Sequence, residues 1–463
     1  MKQYDVAIIG GGTAGIFAAY EIHKLHPELN ITMLEQGNKI NKRVCPIIAK
    51  KVDHCINCNP CSIMNGFGGA GAFSDGKFNF TTQFGGWLQD YIPSEEVMNL
   101  IEYVDTVNMD FGATDVRYST YTPEARALAK KALESDLHLL GAEVKHLGTE
   151  RNLQILGNMS DYLEKCIDLC CNETVEHIEK RDDGSYLLHL KGGEEIACKY
   201  LVVAPGRSGA EWFAKQCENM GINLINNQVD IGVRVELPAD VFEHITNVVY
   251  EAKMVYVTKQ YGDKVRTFCM NPYGHVVTEN VDGCITVNGH SYSDKALRSE
   301  NTNFALLVSN RFTQPFNEPY QYGKRIASLS NMLGCGVLVQ RFGDLIKGVR
   351  TNEHRLAKSF IKPTLNATPG DLSLVLPKRH LDNIIEMIYA LDKIAPGTAN
   401  HDTLLYGVEV KFYSSRIDLS SKLETPLENM FACGDGAGVT RGLSQAAASG
   451  VHVAREIAER IGK

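Results

Sequence analysis

Asp5-Val-Ala-Ile-Ile-Gly10-Gly-Gly12-Thr13-Ala14-Gly15 is an apolar run that breaks directly into a glycine-rich turn, and Glu35 lies 20 residues after Gly15. Ala14, Phe17, Ala18, Ile22 and Leu25 then fall on one face of a helix. A second apolar run at 31–34 ends in Glu35. Each part has a physical task. Gly10 permits a tight turn, Gly12 lets backbone approach a pyrophosphate, and Gly15 lets helix pack on strand. The helix start, at Thr13 and Ala14, offers unpaired N–H groups and partial positive charge to phosphates. Glu35 is placed to accept from a ribose hydroxyl, with Gln36 and Gly37 beside it. A lone GxGxxG is weak, but here strand, helix, second strand and acid agree on dinucleotide binding.

The 463 residues suffice for two or three domains. Hydrophobic content is 44% and charged content 22%, ordinary for a globular chain. The net charge of −8, without a basic block, argues against nucleic acid as a partner. No run approaches the roughly 18 apolar residues of a membrane span. The first 20 residues contain a lysine and an apolar stretch, but they fit a βα unit better than a signal peptide. Thirteen cysteines without a secretory signal suggest a reducing, cytoplasmic setting.

Periodicity predicts helices over 94–110, 123–140 and 152–170, and a hairpin around Asp182-Asp183-Gly184. An apolar strand at 199–204 ends in Pro205-Gly206. From about 215 to 400 the pattern becomes an antiparallel meander with strands near 230–237, 254–258, 265–270, 275–278 and 284–287. Helices follow near 320–333 and 379–394. The run 430–433 then enters Gly434-Asp435-Gly436, and an Ala-rich helix begins near Gly442. The expected fold class is α/β, a discontinuous Rossmann-like dinucleotide-binding domain with an inserted α+β domain built on an antiparallel sheet. The expected divisions are 1–90, a helical insertion at 91–150, 151–214, a substrate or cap domain at 215–400, and 401–463.

Three motifs, GGGTAG at 10–15, YLVVAPGRSG at 200–209 and MFACGDGAGVTRGLSQAAASG at 430–450, carry a resemblance. The chain resembles the two-dinucleotide-binding-domain flavoproteins, the FAD enzymes related to glutathione reductase and p-hydroxybenzoate hydroxylase. Gly66-Phe-Gly-Gly69-Ala70-Gly71-Ala-Phe-Ser-Asp-Gly-Lys77 is similar to the flavin-contacting loop of a group described simply as FAD-dependent dehydrogenases. Asp230-Ile-Gly-Val-Arg-Val-Glu236 and Arg266-Thr-Phe-Cys-Met270 fit the same group. The resemblance implies FAD held by Gly10, Gly12, Thr13, Ala14, Gly15, Glu35, Gln36, Gly37, Gly69, Ala70, Gly71, Ala204, Gly206, Gly434, Asp435, Gly442, Leu443 and Ser444. It says little about substrate. The helix from Gly442 would aim its N-terminus at the flavin pyrimidine ring. Lys77 is equally readable as a flavin neighbour or as a solvated lysine.

Cys45, Cys55, Cys58 and Cys61 lie within 17 residues. Cys-x-x-Cys-x-x-Cys with one remote cysteine suits a 4Fe–4S cluster, although the spacing departs from the common ferredoxin run. Zinc, a redox disulfide or unligated thiols are the alternatives. The other nine cysteines read as buried apolar residues. On the substrate side, Arg266 and His275 flank one expected hairpin, and two cations there would suit an anionic substrate. Arg234, His290, Arg341, Lys411, Tyr413 and Arg416 are further polar candidates, although each taken singly reads more readily as a surface or core residue. The leading expectation is a dehydrogenase or reductase passing hydride between flavin and a small substrate. NAD(P)H is a candidate electron donor, although no second fingerprint is convincing. The alternative is an electron-transfer or redox-sensing flavoprotein working with a partner protein. Monooxygenase and RNA-modifying roles rank below both.

Overall fold

The computed structural model describes residues 2–46, 49–52, 56, 58–74, 76–225, 227–281, 283–292, 295–310, 312, 315–316 and 318–462. They form two compact units. The first comprises Met1–Arg117, Ala142–Asn227 and Ser414–Lys463. The second comprises Tyr118–Gly141 and Gln228–Tyr413.

The first unit is built on a parallel sheet. Asp168–Cys171, Ile31–Glu35, Lys2–Ile9 and Glu195–Val203 lie side by side in that order, and Met430–Ala432 pairs with the end of Glu195–Val203. The start of Glu195–Val203 pairs antiparallel with Tyr186–Leu190, which pairs in turn with Val175–Lys180. The intervening turn at Asp182-Asp183-Gly184 is the expected hairpin. The central strands are apolar on both faces because helices cover them. Helix Thr13–Leu25 follows the first strand, and the terminal helix Leu443–Ile461 packs against it. A Cβ on Gly450 would overlap the Ala14 carbonyl oxygen, so only glycine permits this approach.

In the second unit, an eight-stranded sheet runs Thr368–Pro369, Leu338–Arg341, Leu404–Lys411, Val229–Pro238, Asn301–Asn310, Lys264–Asn271, Met254–Val257, Leu137–Leu139. Its pairings are antiparallel except between the first two strands. Val229, Ile231, Val233, Val235 and Leu237 face an apolar core shared with helix Lys378–Asp392. The alternate face carries Asp230, Gly232, Arg234 and Glu236, with Asp230, Arg234 and Glu236 fully buried.

Several expectations are corrected. Helix Pro123–Leu133 ends well before 140, because the chain turns through a left-handed Asp136 into strand Leu137–Leu139. Helix Thr149–Cys166 likewise gives way to strand Asp168–Cys171, which pairs with Ile31–Glu35. Residues 91–150 are not one insertion. Helix Ser94–Asp110 packs into the first unit through Val97, Leu100, Ile101 and Val104, and only Tyr118–Gly141 joins the second. The second unit runs past 400 to Tyr413 because Leu404–Lys411 pairs with Val229–Pro238. The meander is not continuous either: His275–Val281 and Cys284–His290 form a separate two-stranded hairpin.

Candidate functional site

The first strand delivers Gly10 at φ +103°, and a Cβ there would overlap the Ala204 carbonyl oxygen. Ala204 N–H donates to the Ile9 carbonyl at 2.8 Å, so the two strand ends are locked together. A Cβ on Gly15 would overlap the Gly10 carbonyl, which confirms its packing role. Gly12 differs. A Cβ there would meet only the Gly69 Cα, at 4.0 Å, so the residue keeps clear the space between its own turn and Gly69–Gly71.

That space lies before a helix start with no side-chain cap and no acid in its first turn. The first N–H groups of a helix have no partner inside it, and here no side chain supplies one at the cap. The terminal helix repeats the arrangement, with Gly442 as its N-cap, no capping side chain and no acid in the first turn. Ser444, 4% exposed, has a buried Oγ without a hydrogen-bond partner among the described residues. Gly71 sits between the two helix starts. A Cβ on it would lie 2.6 Å from Leu443 Cδ2 and 3.4 Å from Thr13 Oγ1. Gly434 approaches from a third side, its added Cβ falling 2.9 Å from Ala14 Cβ. Asp435 accepts from Thr440 Oγ1 at 2.7 Å, and the Gly206 carbonyl packs on Gly436.

Glu35 is buried and organises the turns. Its Oε2 accepts from Gly11 N–H, and its Oε1 from Gly37 and Gly66 N–H, each at 2.8 Å. A carboxylate has about four acceptor positions. Three are filled among the described residues, which leaves one open on Oε2. Gln36 Nε2 donates to Asn65 Oδ1 at 2.7 Å, which also receives Ser208 Oγ at 2.6 Å. Ala70 lies within the short turn Gly69–Gly71. The residues present therefore fit a dinucleotide. Glycine turns pack closely around a space that Gly12 keeps clear, two helix starts lack side-chain caps, and the buried Ser444 hydroxyl has no partner among the described residues.

Two residues that hold the glycine turn escaped the sequence reading. Arg43, 5% exposed, donates to the carbonyls of Ser62 at 3.1 Å, Ile63 at 2.8 Å and Phe67 at 2.7 Å. Burial pulls its guanidinium down to about 10, still charged at neutral pH. Asn152 Nδ2 donates to the carbonyls of Gly71 at 2.8 Å and Ala72 at 3.2 Å. Asn152 carried a readable signal, a buried amide on the face of Leu156 and Met159. Arg43 had none, since its carbonyl partners lie about 20 residues away.

Among the cysteines, Cys45, Cys58 and Cys61 are half-buried and unbridged, and Cys55 lies outside the described residues. No group of three metal-binding side chains occurs among the described residues. Of the nine others, only Cys198, Cys217, Cys284 and Cys433 are buried, while Cys335 is exposed and the remaining four are half-buried. The broad expectation of buried cysteines is thus corrected.

Lys77 begins strand Lys77–Phe80, half-buried and opposite His146. Arg266 and His275 do not meet across a hairpin. Arg266 lies opposite Val255 and Leu307, whereas His275 lies opposite His290 and bonds the Leu297 carbonyl at 2.9 Å. A register irregularity after Phe268 and a left-handed Cys269 take the chain out of one sheet before His275 enters the other. Arg266 Nη2 instead donates to Asp230 and, at 2.7 Å, to Tyr413 Oη. Arg234 bonds Glu409 at 2.8 Å, Asn303 at 2.8 Å and the Cys269 carbonyl at 3.0 Å. Burial works against the Arg234 charge, but Glu409 and these acceptors outweigh it and hold its pKa above the usual value. Glu236 accepts from Tyr406, Thr364 and Asn301.

Residues 228–412 match the protein family described as FAD-dependent protein, C-terminal domain-like. An uncharacterized protein of Clostridium beijerinckii is 26% identical over 473 residues, covering 98% of this chain and 80% of the relative. In structure the chain is similar to glycine oxidase from Geobacillus kaustophilus, at TM-score 0.38 and 12% identity over 99% of this chain and 95% of that one. It is also similar to E. coli quinol fumarate reductase FrdA, at TM-score 0.42 and 14% identity over 100% and 71%. The second unit is thus similar to the C-terminal domain of FAD-dependent proteins, and the first unit holds a cradle that fits a dinucleotide.

Proposed function

We propose that the chain is an FAD-dependent oxidoreductase that moves hydride between the flavin and a small-molecule substrate, as a dehydrogenase or reductase. One observation supports the reading: two uncapped helix starts lie beside close-packed glycine turns at Gly10, Gly71 and Gly434, while Gly12 keeps a space clear. Bound FAD supplies the redox chemistry, while the protein positions it and tunes its potential. Thr13, Ala14 and Gly15 N–H would hold the pyrophosphate, and the open position on Glu35 would take a ribose hydroxyl. The Leu443–Ile461 helix start, with Ser444, would place positive potential at the flavin end. Lys77, Arg266 and His275 are the substrate-side candidates.

A second reading, electron transfer or redox sensing through a 4Fe–4S centre at the cysteines and a partner protein, draws on one contact. The Cys61 carbonyl accepts from Asn65 N–H at 2.8 Å, and Asn65 also bonds Gln36. Anaerobic reduction of the purified protein by NADH or NADPH, followed by small oxidants, separates the two. Stoichiometric reoxidation by a small carbonyl or unsaturated compound is expected. Reoxidation by one-electron acceptors alone, with iron in the protein, contradicts the hydride reading.

A further inference from the structure

We propose that Arg266 docks a carboxylate group of the substrate, an inference that rests on the reading of the chain as an enzyme with a small-molecule substrate. The buried polar face of the second unit carries three cations. Arg234 is fully buried and its guanidinium is saturated. Nε and Nη2 bond Glu409, Nη1 bonds Cys269 and Asn303, and Nη2 reaches Asn288 at 3.4 Å. Lys411, 9% exposed, sits 3.0 Å from Glu409. Arg266 is different. Its side chain is 25% exposed, its Nη2 serves Asp230 and Tyr413, and its Nε is buried without a partner among the described residues.

This arrangement is a held cation with donor capacity left over. Asp230 is fully buried, and Tyr413 Oη both receives from Arg266 and donates to Asp230, so the guanidinium is fixed in orientation. A buried cationic donor without an acceptor is unfavourable, and a ligand oxygen is the partner that relieves it. The charge count selects the ligand. Asp230 already offsets Arg266, so a planar monoanion is tolerated beside it, whereas a phosphate dianion would add a second uncompensated charge. The guanidinium also lies 5.3 Å from the Phe268 ring centroid, which gives the ligand an apolar flank.

The test is calorimetric titration of the FAD-bound protein with acetate and benzoate, with benzamide as the neutral isostere and inorganic phosphate as the competing anion. Bound FAD is read by absorbance on the same samples, so failure of the cofactor reading and failure of this one are told apart. Benzoate should bind and benzamide should not. Arg266→Gln should weaken benzoate at least about tenfold. Tyr413→Phe, which keeps the guanidinium but removes its brace, should weaken it about threefold. The proposal is overturned if neither carboxylate binds the FAD-loaded protein, if benzamide or phosphate binds as well as benzoate, or if Arg266→Gln leaves benzoate affinity unchanged. Should Arg266→Gln fail to fold, Tyr413→Phe decides, and an unchanged benzoate affinity there overturns the proposal equally.

Discussion

Gly450→Ala sets two effects of opposite sign against each other. Residue 450 lies inside helix Leu443–Ile461, where alanine is favoured over glycine by about 1 kcal/mol. On propensity alone the variant should be more stable. The structure says otherwise. The new methyl would overlap the Ala14 carbonyl oxygen, with the Ala14 carbonyl carbon at 3.0 Å and the Ala18 nitrogen at 3.1 Å. All three atoms are backbone, so no side chain can rotate away, and the two helices must separate. Overpacking of this kind costs about 1–3 kcal/mol, and the rigidity of both partners places it at the upper end. The net expectation is about 2 kcal/mol of destabilisation, or a Tm lowered by roughly 4–8 °C in a unit of this size. Ala14 belongs to the helix turn that would hold the pyrophosphate, so FAD affinity should fall as well. Thermal melting with and without FAD, together with a flavin titration, measures both. A Gly450→Ala protein that melts at or above the parent temperature and keeps its FAD affinity would refute the packing argument.

Glu35→Gln replaces an acceptor of three N–H groups by an amide whose nitrogen must face at least one of them. A loss of about 1–3 kcal/mol is expected in thermal or denaturant melts, with weaker FAD binding, and unchanged values for both would count against the assigned role. Ser444→Ala removes a hydroxyl with no partner of its own, so stability should stay within about 0.5 kcal/mol. FAD affinity should still drop roughly three- to tenfold in a flavin titration, and an unchanged affinity argues that the hydroxyl does not serve the cofactor. His380, 4% exposed and with neither ring nitrogen partnered among the described residues, is held down to about 4 by burial, with Asp263 and Arg379 as opposing charged neighbours. The unfolded chain then binds more protons between pH 6.5 and 4, so stability falls as pH drops through that window, by about 3 kcal/mol in all. His380→Leu should flatten that slope in melts taken at stepped pH, and an undiminished slope would assign it to other groups.

The parts of the fold that were legible in the sequence are those set by local geometry. Gly10, Gly15 and Glu35 announce themselves because turn, helix packing and acid sit within one βαβ unit. The hairpin at 182–184 is legible for the same reason. The rest depends on long-range pairing. Nothing in 137–139 distinguishes a strand from the end of an alanine-rich helix until Met254–Val257 lies beside it. Arg43 reads as a surface cation because the carbonyls that bury it come from another turn. Arg266 and His275 looked like partners because they bracket a short connection, but the irregular backbone at Phe268–Asn271 sends their strands to different sheets. The charges at 230, 234 and 236 are visible in the sequence, yet buried charges on one strand face have no local signature until their acceptors are assembled.

The central claim is that the glycine turns of the first unit grip one FAD. Its most direct measurement is the visible absorption spectrum of the purified protein, followed by chromatography of the chromophore released on denaturation. A flavin spectrum and close to one equivalent of FAD per chain are expected, either as isolated or after reconstitution. A protein that stays colourless when incubated with excess FAD, and that is not stabilised by it against heat, would contradict the account.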